Sequence, residues 1–219
     1  MMQDWQQRIW EVMEEGVFNA PASPLLFNPY KDEDPAFDVD NAPAIRRDNF
    51  RAYLETYTRR PRVVLLAEAP GPWGCRFSGV PLVSEAQLTD ADFPIHGRQT
   101  SQEPEPHHEY SARIYWRALL NHFPTFFTWN SVPFHPYKTD KPMSIRTPKQ
   151  SELITYKPVV EGIVTAINPV VVLAIGRKAE SVLGKLGIAC TYIRHPSQGG
   201  ATIFTEGVTA VFEQLNASS

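Results

Sequence analysis

Cysteine is scarce: the chain has two, Cys75 and Cys190, in separate segments of 219 residues. Two thiols exclude a disulfide-stapled scaffold and fall short of a four-thiolate zinc or iron–sulfur site. They point to a reducing, cytoplasmic setting, with no metal and no other cofactor expected. Long apolar runs are missing too. No segment reaches the roughly 18 consecutive apolar residues of a membrane helix. The opening Met-Met-Gln-Asp-Trp-Gln-Gln has neither the basic region nor the apolar stretch of a secretory signal. Neither a membrane-spanning nor a secreted protein is expected. No Gly-x-Gly-x-x-Gly and no Walker sequence follows a candidate strand, which argues against a nucleotide-handling enzyme. Positive charge is not in excess either: the net charge is −3, so bulk attraction alone would not hold the chain to nucleic acid.

What is present is enough apolar sequence, 42% of residues, to bury one sizeable core. One domain over 1–219 is expected, with N-terminal helices and a loop (1–58) packing on a 59–219 core. Proline is abundant at 20 residues, roughly twice its usual share of about 5%, so long ordered loops are expected. Charge is uneven: residues 1–56 hold 11 acids and 5 bases, leaving 13 acids and 16 bases beyond. Within the basic remainder, Lys138, Lys141, Arg146 and Lys149 face only Asp140 in sequence. The stretch reads either as a phosphate contact or as a solvated loop.

Periodicity sets the elements. Trp5, Ile9, Trp10 and Met13 share one helical face within Asp4–Val17, and a Pro/Asn-rich loop spans Asn19–Pro43. Ala44–Tyr57 reads as a second helix. Arg62-Val-Val-Leu-Leu-Ala67 is a short β-branched apolar run, a buried strand that ends in the turn Glu68-Ala-Pro-Gly71. A helix is expected over Glu109–Asn121 and a strand over Thr125–Asn130. Thr147 as N-cap, Pro148 at the first helical position and Gln150 predict the start of a helix that runs to about Ile167. A strand at Val170–Ile175, a helix at Gly176–Leu186, a strand at Cys190–Arg194 and a helix at Thr205–Leu215 complete the chain. Strands alternating with helices imply an α/β fold, a parallel doubly wound sheet between helices, with chemistry at the carboxyl ends of the strands.

Three residues stand at such ends: Glu68 after the first strand, Asn130 at the end of the second and His195 after the fourth. A carboxylate, an amide and an imidazole on one rim suit cleavage of a bond whose leaving group departs as an anion. The acid holds water and offsets a growing cation while the imidazole supports the departing charge. Each residue also has a plainer reading, as a solvated turn acid, a loop-bonding amide or a structural histidine. His107, His108 and His135 do not predict a metal site, because neighbouring histidines in a proline-flanked loop point apart.

In order and spacing, Ala67-Glu-Ala-Pro-Gly71, Asn130, Val171-Val-Leu-Ala-Ile-Gly-Arg177 and His195-Pro-Ser197 resemble the uracil-DNA glycosylase superfamily. The first motif looks like that of the iron–sulfur branch, here without its cluster cysteines. Its continuation, Pro72-Trp-Gly-Cys-Arg-Phe-Ser-Gly-Val-Pro81, is similar to the single-strand-selective monofunctional branch. The resemblance implies a three-layer fold around a four-stranded parallel sheet, and a monomer that flips a base out of single- or double-stranded DNA. It then hydrolyses the bond from sugar to base and leaves an abasic site. It also implies that Glu68 positions water, His195 stabilises the leaving base and Asn130 reads the base edge. Gly71, Leu82, Phe77 and Trp73 would line the base pocket, and Ser197, Gln198, Gly199, Lys138 and Lys141 would meet DNA.

Departures from the pattern shape the expected substrate. Ala69 stands where other branches carry an acid or amide linked to water activation, so Glu68 carries that role. Leu82 replaces a stacking Phe, and Gly71 replaces the Tyr that guards the pyrimidine C5 edge in the uracil-specific branch. A wider pocket follows, one that admits hydroxymethyluracil in repair or, alternatively, the glucosylated hydroxymethylcytosine of phage DNA in antiviral defence. A catalytically silent DNA-binding relative is the remaining alternative.

Overall fold

A computed structural model describes residues 2–217. The apolar stripe of Trp5, Ile9, Trp10 and Met13 is the buried face of α1 (Asp4–Met13), which runs on as a π-helical turn over Glu14–Phe18. Then follow β1 (Leu26–Phe27), α2 (Ala42–Glu55), β2 (Val63–Ala67), α3 (Cys75–Ser78), α4 (Glu85–Leu88) and α5 (Tyr110–Leu119). The chain continues through β3 (Phe126–Asn130), β4 (His135–Pro136), α6 (Gln150–Ile167), β5 (Val171–Ile175), α7 (Gly176–Lys185), β6 (Thr191–Ile193) and α8 (Ala201–Ala217).

Four of the strands form one parallel sheet in the order β3-β2-β5-β6. Every residue of β2 and β3 is buried, as a parallel sheet covered on both faces requires. Alternation along β3 shows what covers each face. Phe126 meets Tyr115 of α5 and Phe212 of α8, and Thr128 shares a 2.6 Å hydrogen bond with Tyr115. Phe127 stacks on Tyr53 and Trp129 packs edge-on against Phe50, both on α2. Successive side chains point to opposite faces of a strand, so α5 and α8 form one outer layer and α2 the other. α1 joins α2 through Gln6, whose Nε2 donates to the Leu54 carbonyl at 2.5 Å, and through Trp5 on Tyr57 just beyond the helix. The result is a three-layer α/β/α fold.

Boundaries differ from expectation where side chains override local signals. α6 begins at Gln150 instead of just after Thr147, because Arg146 holds Glu152 at 2.6 Å and the same carboxylate accepts the Lys149 N–H at 2.7 Å. That ion pair moves the first turn past Pro148. α8 starts four residues before Thr205, since the Ser197–Gly200 turn closes with a 3.1 Å backbone bond and feeds straight into it. The Asn19–Pro43 loop carries β1, which pairs antiparallel with β4.

A buried polar network ties this N-terminal loop to the turn after β2. Arg46 on α2 is fully enclosed, ion-paired with Asp38 and donating to the Phe77 carbonyl at 3.3 Å. Arg76 also faces Asp38 at 3.4 Å, the Tyr30 hydroxyl donates to the Gly79 carbonyl at 2.7 Å, and Asn49 donates to the Ser78 carbonyl at 2.9 Å. Removing one member would strand a buried charge or carbonyl, so the turn is held firmly.

Candidate active site

Parallel register places Ala67 opposite Asn130, so Glu68 emerges beside the end of β3. The two loops are laced together: Ser131 donates to the Ala67 carbonyl through N–H (2.8 Å) and hydroxyl (2.9 Å), and the Val132 N–H donates to the Glu68 carbonyl at 3.0 Å. His135, fully buried, sets Nδ1 2.9 Å from the Pro70 carbonyl and Nε2 3.1 Å from the Pro142 carbonyl; burial lowers its pKa, and the single N–H of the neutral ring donates to one of the two.

The Glu68 side chain keeps 24% exposure and lies 3.6 Å from the Lys178 ammonium. Burial raises its pKa above the ordinary carboxylate range, and Lys178 partly offsets the rise. Asn130 is buried at the strand end. Its amide nitrogen lies 3.9 Å from Cys75 Sγ, a long and weak contact, and among the described residues its side chain makes no other hydrogen bond.

His195 follows β6. Its Nδ1 accepts the Ser197 N–H at 3.1 Å and lies 2.8 Å from the Ser197 hydroxyl, so the proton of the neutral ring sits on Nε2. Burial, then the charges of Arg194 and Lys178, lower its pKa and keep it neutral at physiological pH. Gly176, at φ +87°, opens α7 directly under this ring: a Cβ there would lie 3.2 Å from His195 Cβ. One turn into α7, Lys178 touches Glu68 and acts electrostatically on His195. The rim is therefore continuous from β3 through β2 and β5 to β6. Lys178 was not anticipated from sequence, where one lysine after Gly176-Arg177 reads as a solvated helix face.

The remaining candidates are distributed as follows. Trp73 is 43% exposed in the turn after β2, its ring edge-on to His107 at 5.0 Å. Phe77 is fully enclosed between the His107 ring and the Arg76 guanidinium. Leu82 is buried at φ +53°, its carbonyl accepting from Trp116 Nε1 at 2.9 Å. Ser197, Gln198 and Gly199 make the turn that follows His195, with Gln198 and Gly199 both at positive φ. Lys138 and Lys141 lie on an exposed turn after β4. Arg146, from the same basic stretch, is spent on Glu152 and on the Leu25 and Tyr137 carbonyls. Gly71 faces an acid that sequence did not single out, Glu109: a Cβ on Gly71 would fall 2.8 Å from its carboxylate. Among the described residues no three His, Cys, Asp or Glu side chains are grouped to hold a metal, and no helix is long and apolar enough to cross a membrane. A cavity of about 580 Å³ lined by Val164, Asn168, Val170, Cys190 and Thr191 lies at the amino ends of β5 and β6, the opposite end of the strands from this rim.

Chemically, the rim combines an acid of raised pKa, a neutral imidazole presenting Nε2–H and an unengaged amide. Such a set stabilises a cation on one side of a breaking bond and an anion on the other.

No family model matches the chain, and no curated relative matches it. Among solved structures, the crystal structure of wild-type SMUG2 from Pedobacter heparinus superposes with a TM-score of 0.68 at 15% identity, covering 99% of this chain and 100% of that one. The two share a fold over their whole length.

Proposed function

We propose that this chain is a monofunctional DNA glycosylase that takes a flipped uracil or C5-substituted pyrimidine and hydrolyses its bond to the sugar. The observation that carries this reading is the Glu68–Lys178–His195 arrangement beside Asn130, on a fold shared with SMUG2, a protein of the uracil-DNA glycosylase superfamily. As the sugar–base bond lengthens, the sugar becomes cationic and the base anionic. Glu68 opposes the first charge and accepts the proton of the water whose oxygen bonds to the sugar carbon. His195 donates Nε2–H to the departing base oxygen, which needs no proton transfer because the ring is already neutral. Asn130 offers one donor and one acceptor to the base edge.

Gly71 places no side chain of its own beside the base and Leu82 offers no flat ring, which supports a range that includes hydroxymethyluracil. The glucosylated hydroxymethylcytosine of phage DNA falls in the same range, and its removal would make the enzyme a defence factor. The mix of motifs from two branches fits such a divergent specificity. We take the working form to be a cytoplasmic monomer, with DNA phosphates held near Gly71, Ser197 and the Lys138–Lys141 turn.

The test is digestion of a panel of modified DNAs in excess EDTA, with the released base identified by mass spectrometry. Release of one pyrimidine together with abasic sites is expected. Binding without release from every DNA would make the chain a silent relative. Release of uracil alone, with Leu82→Phe leaving that range unchanged, would contradict the open pocket.

A further inference from the structure

Glu109 heads α5 but does not cap it: its carboxylate makes no hydrogen bond to the helix's own amides, where an acid at this position ordinarily would. It reaches instead to the turn after β2. A Cβ built on Gly71 would fall 2.8 Å from Oε1, and one built on Gly74 only 2.0 Å from Oε2. Both positions must be glycine while the carboxylate stands there. Cys75, next to Gly74, feels the charge of Glu109, and the Asn130 amide lies 3.9 Å from the Cys75 sulfur. Gly71, Glu109, Cys75 and Asn130 are thus neighbours around one turn, which begins three residues after Glu68.

The carboxylate is unpartnered. Among the described residues no cation, hydroxyl or amide donates to it, and it is only partly exposed. Burial without a partner pushes its pKa up to about 7. An ion pair or a helix cap would have relieved that cost, and neither is present. A ligand carrying a hydrogen-bond donor would.

We propose that Glu109 selects the base: its carboxylate accepts a hydrogen bond from a donor on the pyrimidine edge remote from the sugar, either the 4-amino group of a cytosine or the hydroxyl of a C5 hydroxymethyl group. The proposal rests on the glycosylase reading above for the base being in this pocket. Uracil has an acceptor at C4 and only hydrogen at C5, so it provides no such donor and fits worst.

The experiment measures binding of single-stranded oligonucleotides by fluorescence anisotropy at pH 8. Each carries one uncleavable 2′-fluoro nucleotide of uracil, hydroxymethyluracil, cytosine or hydroxymethylcytosine. The wild type is expected to favour a donor-bearing base over uracil by about tenfold, the size of one charge-assisted hydrogen bond. Preference for hydroxymethyluracil over uracil with cytosine equal to uracil assigns the C5 hydroxyl, and the converse assigns the 4-amino group. Glu109→Gln keeps the shape, removes the charge and adds a donor for uracil, so the preference should collapse or reverse. Glu109→Asp, which withdraws the carboxylate by one methylene, should weaken it as well and guards against a misfolded Gln variant. Four-base ratios unchanged within twofold in both variants would overturn the proposal. Cleavage is scored separately with Glu68→Gln: a Glu109-dependent preference without any base release sinks the glycosylase reading alone, and Glu68-dependent release with unchanged Glu109 ratios sinks this proposal alone.

Discussion

The two halves of the rim are built differently. On the β2–β3 side, five-residue strands are buried throughout, their loops share backbone hydrogen bonds, the His135 ring abuts the Pro70 carbonyl and Arg46, Tyr30 and Asn49 grip the turn at residues 77–79. On the β5–β6 side, β6 has three residues at the sheet edge, Thr191 is exposed, and the turn after His195 is closed by Ser197 and a 3.3 Å bond from Arg194 to the Gln198 carbonyl. Asn130 is buried and Glu68 half-buried, both at strand ends whose loops are tied to the core. The imidazole sits at the sheet edge, held by Ser197 and this short turn, where local rearrangement costs least.

Breaking the firm half should do most damage. Arg46→Met leaves the buried Asp38 with the Asp34 N–H and, as its cation, only the more distant Arg76, and a stability loss of about 3 kcal/mol or more is expected in urea unfolding. A loss under about 1 kcal/mol would show that the clamp is not what holds this half. On the loose half, His195→Ala should slow single-turnover base release by roughly 10- to 100-fold while the melting temperature stays near that of the wild type. An unchanged rate would move the leaving-group donor elsewhere.

Glu109 provides a smaller effect of opposite sign. Its folded-state pKa of about 7 exceeds the ordinary 4.5, so the folded chain binds the extra proton between those values and loses stability as pH rises through them. Glu109→Gln should therefore be more stable than the wild type by on the order of 1–3 kcal/mol at pH 8, with the gain gone below about pH 4.5. Thermal melts at both pH values check this, and a destabilised variant at pH 8 would mean that a partner holds the ionised acid. Smallest of all, Ser197→Ala removes only the hydroxyl beside His195 Nδ1 and leaves the Ser197 N–H, so release should slow no more than about threefold. A His195-sized loss would make the hydroxyl, not the backbone, the group that orients the ring.

The sheet was legible because a strand buried on both faces leaves a short run dominated by apolar, β-branched or aromatic residues: Val63–Ala67 and Val171–Ile175 are wholly apolar, Phe126–Asn130 is broken only by Thr128 and its terminal Asn130, and all three stand within a residue of where that pattern puts them. The strand-end positions of Glu68, Asn130 and His195 followed. α3, α4 and the β1–β4 pair were not legible, being too short to show a period. Nor was the start of α6, because the Arg146–Glu152 pair outweighs a local Thr-Pro signal. Lys178 and Glu109 escaped for a different reason. Each looks solvated in sequence, and only the crossing of α7 under His195 and of α5 against the Gly71–Gly74 turn brings them to the rim. Arg46 is the clearest case, a charged residue on a helix that lies wholly inside.

The central claim is that Glu68 drives cleavage of a sugar–base bond at this rim. It is tested most directly by single-turnover release of the base found in the DNA panel, wild type against Glu68→Gln, with DNA affinity measured alongside. A fall of about 100-fold or more with affinity unchanged is expected, because the variant keeps its shape and hydrogen bonding but loses the charge facing the developing cation. Wild-type rates in Glu68→Gln would contradict the account.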